Sequence, residues 1–290
     1  MEFDNITPEN RKPLLKGWIR ALLIIIPFII VTAVMQLIGY LLLGLDIADE
    51  SVTMTETTVL RIIVTAGTLL IVFIFTHYID RADFKSLGFQ LKDFRKNMLL
   101  GIVMGALIMA IGFCILFMLD EIRVTAVTYD TYKLLTSVVL FSVVAFGEEL
   151  IMRGYILNNL LQSMNKYVAL ALSSVIFSIM HIFNPNFDMM SFVSIVLAGL
   201  MLGISYIYTK NLWFPVALHF SWNFFQGTVF GFKVSGQEIY SVIIQHPTEN
   251  NILSGGEFGF EGSIVSQIFI VIATLAIWML AKQNPADDKK

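Results

Sequence analysis

The sequence predicts an all-α membrane protein, a polytopic bundle of about eight transmembrane helices with both termini in the cytoplasm. The first observation is composition: the 290 residues are 57% hydrophobic and 14% charged, with a mean hydropathy of +0.76. A soluble domain is roughly half apolar and about a quarter charged, so this composition favours a chain that crosses a membrane repeatedly. The other two observations are a series of long apolar runs and a one-sided distribution of lysine and arginine.

The apolar runs predict the helices in order. The first run, at about 18–43, is too long for the core of a signal peptide and is not followed by a small-residue cleavage site. We therefore expect it to be a retained span. Further spans are predicted at about 59–78, 98–119, 132–161, 167–183, 190–208, 212–232 and 264–281.

The positive-inside rule predicts the orientation of these spans. If both termini are cytoplasmic, the cytoplasmic tails and loops hold fourteen lysines and arginines, and the opposite side holds four. Those four are Arg61, Arg123, Lys133 and Lys233. Because this bias alternates over all eight predicted spans, the sequence places both termini in the cytoplasm.

The domain organisation follows from the same runs. We expect a single transmembrane domain at 18–281, with cytoplasmic tails at 1–17 and 282–290. No connecting segment is long enough to fold alone. The external segment at 233–263 is polar and glycine-rich, and we expect a plain loop there in preference to a lid.

Ionisable residues interrupt the fourth apolar run at Glu148, Glu149 and Arg153. Each charged side chain at bilayer depth costs about 2.5–3.5 kcal/mol on insertion scales. On a helix, Glu149 and Arg153 are four residues apart on one stripe and can neutralise each other. Glu148 is turned by about 100° and does not share that cation, so we expect it to be available as a general base. A structural ion pair that joins helices is the alternative interpretation.

Two further residue pairs have the helical i, i+4 spacing. Phe177 and His181 lie in the fifth predicted span, and His219 and Asn223 lie in the seventh. A single intramembrane histidine or asparagine usually hydrogen-bonds a neighbouring helix. A rise of about 1.5 Å per residue, however, brings these pairs and the glutamates to overlapping depths. Small residues that would permit close helix approach are Gly147, Gly154, Gly199 and Gly203.

Carboxylates and histidines at one depth are suited to the activation of water. Glu148 would take the proton while His181 orients the water, and His219 with Asn223 would hold the oxyanion formed on an amide carbonyl. The same group could instead ligate zinc through Glu149, His181 and His219, with bound water as the nucleophile. Serine and cysteine chemistry are disfavoured because the chain has no Gly-x-Ser-x-Gly elbow and its single cysteine has no nearby base.

Two functions from other classes fit the same features. A non-catalytic immunity or binding protein would use the polar pocket to hold a partner peptide. A proton- or ion-coupled transporter is disfavoured because the spans lack repeat symmetry and paired broken helices. We expect no nucleic-acid partner, and one cysteine excludes a disulfide framework or a thiolate metal cluster.

At these residues the chain resembles the CPBP intramembrane proteases, which include CAAX prenyl endopeptidases and bacterial Abi-like bacteriocin-immunity proteins. The resemblance rests on three motifs in order: Glu-Glu-x-x-x-Arg at 148–153, Phe-x-x-x-His at 177–181 and His-x-x-x-Asn at 219–223. Smaller likenesses occur at 86–89, 153–155, 213–215 and 255–262. The last of these resembles bacterial members.

The resemblance implies an intramembrane endopeptidase of CAAX type whose catalytic core lies at about 132–232. The implied site residues are Glu148, Glu149, Arg153, His181, His219 and Asn223. The resemblance leaves zinc open as a cofactor, since the family is often labelled metalloprotease and a metal-free glutamate mechanism has also been proposed for it. We favour the metal-free alternative because Glu148 already provides a base. The implied partner is a membrane-associated peptide or protein, prenylated or not, within the lipid bilayer, and the implied location is a bacterial plasma membrane.

Overall fold

The computed structural model describes residues 13–46, 52–249 and 251–283, and this part of the chain forms a bundle of helices. The helices are α1 (Gly17–Leu23), α2 (Ile25–Leu43), α3 (Met54–Ile74), α4 (Phe94–Met118), α5 (Thr131–Glu149), α6 (Asn158–Leu161), α7 (Lys166–Ile179), α8 (Met189–Thr209), α9 (Trp213–Asn223) and α10 (Ile264–Gln283). π-Helical segments continue α3 at Phe75–Ile79, join α5 to α6 at Leu150–Leu157 and continue α9 at Phe224–Val229. The predicted helical membrane bundle is confirmed.

Six segments of the described residues are long and apolar enough to cross a membrane. They are Gly17–Leu43, Met54–Ile79, Phe94–Met118, Thr131–Leu161, Met189–Thr209 and Ile264–Lys282. Each coincides with a predicted span, because a continuous apolar run in the sequence is sufficient to indicate such a helix. The number of membrane crossings and the side on which each terminus lies stay predictions, and most of both tails lies outside the described residues.

The two remaining predicted spans, at 167–183 and 212–232, correspond to shorter helices. α7 has 14 residues, and α9 has 11 before its π-helical continuation, which ends at Val229. At about 1.5 Å per residue, α7 is roughly 21 Å long, less than the roughly 30 Å of a bilayer core. α7 ends at Ile179, where the chain enters a series of turns that includes Asn184 and Pro185. The fifth span was therefore predicted too long.

α9 lies in the interior of the bundle, and glycines allow α4 to approach it closely. A Cβ atom built on Gly101 or Gly105 would come within 2.8 Å of atoms of α9. Approach of this kind is typical of helix pairs in membranes. The Ser221 hydroxyl also donates a hydrogen bond to the carbonyl oxygen of Ile102 at 2.6 Å. α4 therefore supports the helix that carries the third motif.

The glycines that the sequence singled out all lie at close contacts between chain segments. Cβ atoms built on them would lie 2.5–3.2 Å from neighbouring atoms. The neighbours are Thr65 for Gly147, Leu212 for Gly154, Ser174 for Gly199 and Leu170 for Gly203. Close helix approach is confirmed at Gly147, Gly199 and Gly203, whereas Gly154 approaches Leu212, which precedes α9.

A two-stranded antiparallel sheet joins two connecting segments outside the helices. Its strands are β1 (Ile122–Val127) and β2 (Ile243–Pro247). This pairing has no signal in the sequence, because the strands are more than a hundred residues apart and no local turn signal links them. The sheet ties the segment that follows α9 to the connection between α4 and α5.

A buried polar network lies at the opposite end of the bundle from the sheet. Arg20 and Asp80 form an ion pair at 2.9 Å, with 2% and 7% of their side chains exposed. Tyr155 donates to Asp80 Oδ1 at 3.0 Å and Asn159 donates to Asp80 Oδ2 at 3.1 Å. Arg20 also donates to Gln162 at 2.6 Å. The network joins α1 to the end of α3 and to the segment that follows the first motif.

Replacing Asp80 with asparagine is expected to destabilise the folded protein by about 3–5 kcal/mol, because Arg20 then remains buried without a counter-charge. The measurement is unfolding in detergent, followed by circular dichroism. Asp120→Asn is the control, since both side chains of the Asp120–Arg123 pair are exposed and such pairs contribute little to stability. Equal stability of Asp80→Asn and Asp120→Asn would contradict the prediction.

Candidate active site

A buried ion pair organises the first motif. Glu149 is the last residue of α5, and Arg153 lies in the π-helical segment that follows it. Arg153 Nη1 donates to Glu149 Oε1 at 2.8 Å, and the two side chains are 1% and 0% exposed. Arg153 Nη2 donates to the carbonyl oxygen of Gly199 at 3.1 Å, and the guanidinium lies 4.5 Å from the ring centroid of Phe177. The expected Glu149–Arg153 pair is present and connects α5 with α7 and α8.

The third motif contacts the same carboxylate. His219 Nδ1 lies 3.0 Å from Glu149 Oε1. A carboxylate only accepts, so we assign the proton to Nδ1 of His219. Asn223 follows one turn later in α9 and is 6% exposed. Its side-chain amide makes no hydrogen bond to the residues that the structure describes, and both side chains line one cavity.

Glu148 points away from this ion pair and faces two histidines. Its side chain is 35% exposed, and its Oε2 lies 3.8 Å from His181 Nε2 and 3.9 Å from His219 Nε2. His181 Nδ1 donates to the carbonyl oxygen of Phe177 at 2.8 Å, which leaves Nε2 on the side of Glu148. One carboxylate oxygen therefore faces two imidazole nitrogens.

The structure differs from the sequence analysis in the position of His181. The i, i+4 spacing predicted His181 on the same helix as Phe177, but α7 ends at Ile179 and His181 lies in the turn that follows. Its backbone N–H donates to the Ser178 carbonyl at 3.0 Å, an i−3 bond of the kind that tightens helix ends. The imidazole nevertheless reaches Glu148, because the turn keeps it beside the end of α7.

A cavity of about 360 Å³ contains these groups. Glu148, His181, His219 and Asn223 line it together with apolar side chains of several helices. Further polar lining comes from α3, with Thr57, Arg61, Thr65 and Thr68, and from the segment after α9, with Ser235, Gln237 and Glu261. The expected plain loop at 233–263 therefore forms part of the cavity wall.

Two charged lining residues were not predicted as site residues. From the sequence, Arg61 is predicted only as an external cation, and Glu261 only as part of a glycine-rich stretch. Neither residue lies three or four positions from a polar residue of the three motifs, so no helical pattern links them to the site. Only the packing of α3 and of the segment after α9 brings them to the cavity.

Comparison with known families agrees with this geometry. Residues 130–225 match the model of the type II CAAX prenyl endopeptidase Rce1-like family. This segment belongs to the CPBP/CAAX protease family. The match includes all six predicted site residues, and it stops before the segment that carries Glu261. No curated protein and no solved structure matches the chain.

A zinc centre within this family segment is not supported by the donor geometry. Among the described residues, no group of three or more histidine, cysteine, aspartate and glutamate side chains is arranged to hold a metal ion. The ligands named for the zinc alternative are Glu149, His181 and His219. Glu149 Oε1 instead accepts from both Arg153 and His219, and the Nε2 atoms of the two histidines face Glu148.

Replacing Gly199 with alanine is expected to destabilise the helix bundle by about 1–3 kcal/mol, the usual cost of overpacking. The new Cβ would lie 2.9 Å from the Cα of Ser174, a backbone atom that cannot move alone. Gly203→Ala is the matched control on the same helix, because its Cβ would meet the flexible end of Leu170. Unfolding in detergent measures both, and equal losses would contradict the prediction.

Proposed function

We propose that the protein is an intramembrane endopeptidase that hydrolyses a peptide bond in a membrane-associated peptide or protein through water activated by Glu148. The family of residues 130–225 supports the reaction class. The six apolar segments support a substrate that is itself held at a membrane. The likeness of residues 255–262 to bacterial members supports a bacterial plasma membrane as its location.

The spacing around Glu148 is the observation that carries this proposal. The distances of 3.8 Å and 3.9 Å from its Oε2 to the two Nε2 atoms are too long for direct hydrogen bonds. They suit one water molecule that bridges the carboxylate and the histidines. Glu148 is also the more exposed of the two adjacent glutamates, so a substrate in the cavity can approach it.

The reaction then follows from the groups around that water. Glu148 takes a proton from the water, and the oxygen attacks the carbonyl carbon of the peptide bond. His181 orients the water through Nε2, because its Nδ1–H is held by the carbonyl of Phe177. The amide of Asn223 and, when protonated, His219 Nε2 donate to the oxyanion that forms. Glu148 finally passes its proton to the leaving amine.

The Glu149–Arg153 pair positions the site without touching the substrate. Glu149 accepts from His219 Nδ1 and so sets the direction of the His219 ring. Arg153 supplies the cation that a fully buried carboxylate requires. In this proposal the two adjacent glutamates have separate tasks, one as the base and the other as the support of a histidine.

Glu148→Gln is expected to reduce peptide cleavage by about 100-fold to 10,000-fold, because an amide keeps the shape of the side chain but cannot accept the proton. The measurement is a comparison of peptide termini in membranes of cells that make the wild type or the variant at equal levels. Glu238→Gln is the control, since Glu238 is exposed and does not line the cavity.

The same comparison distinguishes the proposed endopeptidase from the alternative of an immunity or binding protein. That alternative predicts identical peptide termini for the wild type and Glu148→Gln, with an unchanged cellular phenotype. Termini that occur only with the wild type and with Glu238→Gln identify both the substrate and the bond that is cut. They would also decide whether that substrate is prenylated.

Metal removal is expected to leave cleavage unchanged, because Glu148 already supplies the base and the donor groups do not converge on an ion. The test treats the purified protein with a strong zinc chelator, followed by metal analysis and a cleavage assay. Stoichiometric zinc before treatment, loss of activity with its removal and recovery on its return would contradict the metal-free mechanism.

A further inference from the structure

The outer segment, residues 231–249 together with 251–263, is a folded wall of the cavity. Gln226 and Gln245 donate to carbonyl oxygens of this segment at 2.7 Å and 3.0 Å. The Gly236 N–H donates to the carbonyl oxygen of Phe258 at 2.9 Å, so its two halves are tied together. The likeness to the family reaches this segment only at 255–262, and the family match at 130–225 stops before it.

Phe260 fixes the position of the next residue, Glu261. The Phe260 ring is fully buried and packs against Trp222 and Phe232, with ring centroids 6.4 Å and 5.4 Å away. Gly112 of α4 leaves the space for this ring, since a Cβ there would lie 2.4 Å from Phe260 Cζ. Trp222 belongs to the third motif, between its histidine and its asparagine. Glu261 is therefore held beside the helix that carries those residues.

One oxygen of Glu261 is used inside the outer segment and the other is not. Oε1 accepts a hydrogen bond from the backbone N–H of Ser235. Ser235 has a φ of 48°, a conformation that is uncommon for residues other than glycine. Oε2 makes no hydrogen bond to the described residues, and the side chain lines the cavity together with Glu148, His181 and His219.

The electrostatic surroundings of Glu261 are consistent with its position beside the two histidines of the site. Burial raises the pKa of Glu261, while hydrogen bonding with the side chain and the backbone of Ser235 and the charges of His181 and His219 act in the opposite direction. A carboxyl group in such surroundings is costly unless it is hydrogen-bonded. Its free oxygen is thus an acceptor that faces the space where a substrate would lie.

A peptide in this cavity needs such an acceptor. Its backbone N–H groups lose water on entry and require partners. His219 and Asn223 serve the carbonyl of the cut bond in the proposed mechanism, and Glu149, which does not line the cavity, accepts from Arg153 and His219 through Oε1. Glu148 serves as the base in that mechanism, so Glu261 is the other glutamate of the cavity lining that offers an acceptor oxygen.

We propose that Glu261 is a substrate-binding residue of the site, whose free carboxylate oxygen accepts a hydrogen bond from a backbone N–H of the bound peptide. This proposal rests on the proposed function, since it names a contact of the same peptide. If Glu261 only held the outer segment together, Glu261→Gln would behave like the wild type, because glutamine keeps an oxygen that can accept the hydrogen bond from Ser235.

The test compares Glu261→Gln, Glu261→Ala and Glu257→Gln in full-length protein purified in detergent. The probe is an equimolar mixture of synthetic decapeptides of varied sequence, with cleavage read by mass spectrometry. Glu257→Gln is the matched control, because Glu257 lies in the same stretch and pairs with Lys233 away from the cavity. Kinetic constants are then measured with the peptide that the wild type cleaves best.

Glu261→Gln is expected to raise KM by about tenfold to a hundredfold, the usual effect of losing a hydrogen bond to a charged group, with kcat changed much less. Glu257→Gln is expected to match the wild type. Peptide N–H groups are also replaced one at a time by ester oxygens. At one position, this replacement should weaken binding to the wild type but cause no further loss of binding to Glu261→Gln.

Three results would overturn the proposal. The first is a normal KM for Glu261→Gln with a raised KM only for Glu261→Ala, and the second is an equally raised KM for Glu257→Gln. The third is an ester substitution that weakens binding equally to the wild type and to Glu261→Gln. If the wild type cleaves no peptide, the proposed function fails by itself. The contact of Glu261 is then tested by binding alone. The peptide mixture is passed over immobilised Glu148→Gln protein and over the Glu148→Gln/Glu261→Gln double variant, and the retained peptide is compared. Weaker retention with the second change supports the contact, and equal or absent retention overturns it.

Discussion

A single carboxylate oxygen, Oε1 of Glu149, accepts hydrogen bonds from both Arg153 and His219, and the arrangement of the site depends on it. An uncompensated buried charge costs several kcal/mol, so Glu149 requires Arg153 beside it. Arg153 in turn contacts the carbonyl of Gly199 and the ring of Phe177. One ion pair thereby holds α5, α7, α8 and α9 in a fixed relation and orients the histidine that faces the cavity.

The two adjacent glutamates differ because a helix turns by about 100° between neighbouring residues. Glu149 is fully buried, whereas Glu148 is 35% exposed toward the cavity. The π-helical segment Leu150–Leu157 follows directly, and all of its residues are buried. π-Helical turns are frequent at functional sites, and here the segment carries Arg153 on one side and contributes Tyr155 to the Asp80 network on the other.

The site lies between two tertiary arrangements that hold the bundle together. At one end, the buried Arg20–Asp80 pair fixes α1 against the segment after the first motif. At the other end, the outer segment is tied to the connection before α5 by the β1–β2 sheet, and it turns Glu261 toward the histidines. The two sets of connecting segments are those that the charge distribution predicts for opposite sides of the membrane.

The sequence by itself determined the helical bundle, the place of most helices and the Glu149–Arg153 pair, because apolar runs and i, i+4 spacing are local properties. The tertiary structure decided what has no local signal. His181 lies past the end of its helix because the chain turns after Ile179, and β1 pairs with a strand more than a hundred residues away. Glu261 comes to the cavity because the Phe260 ring packs against α9, and contacts between segments so distant in sequence are formed only when the chain folds.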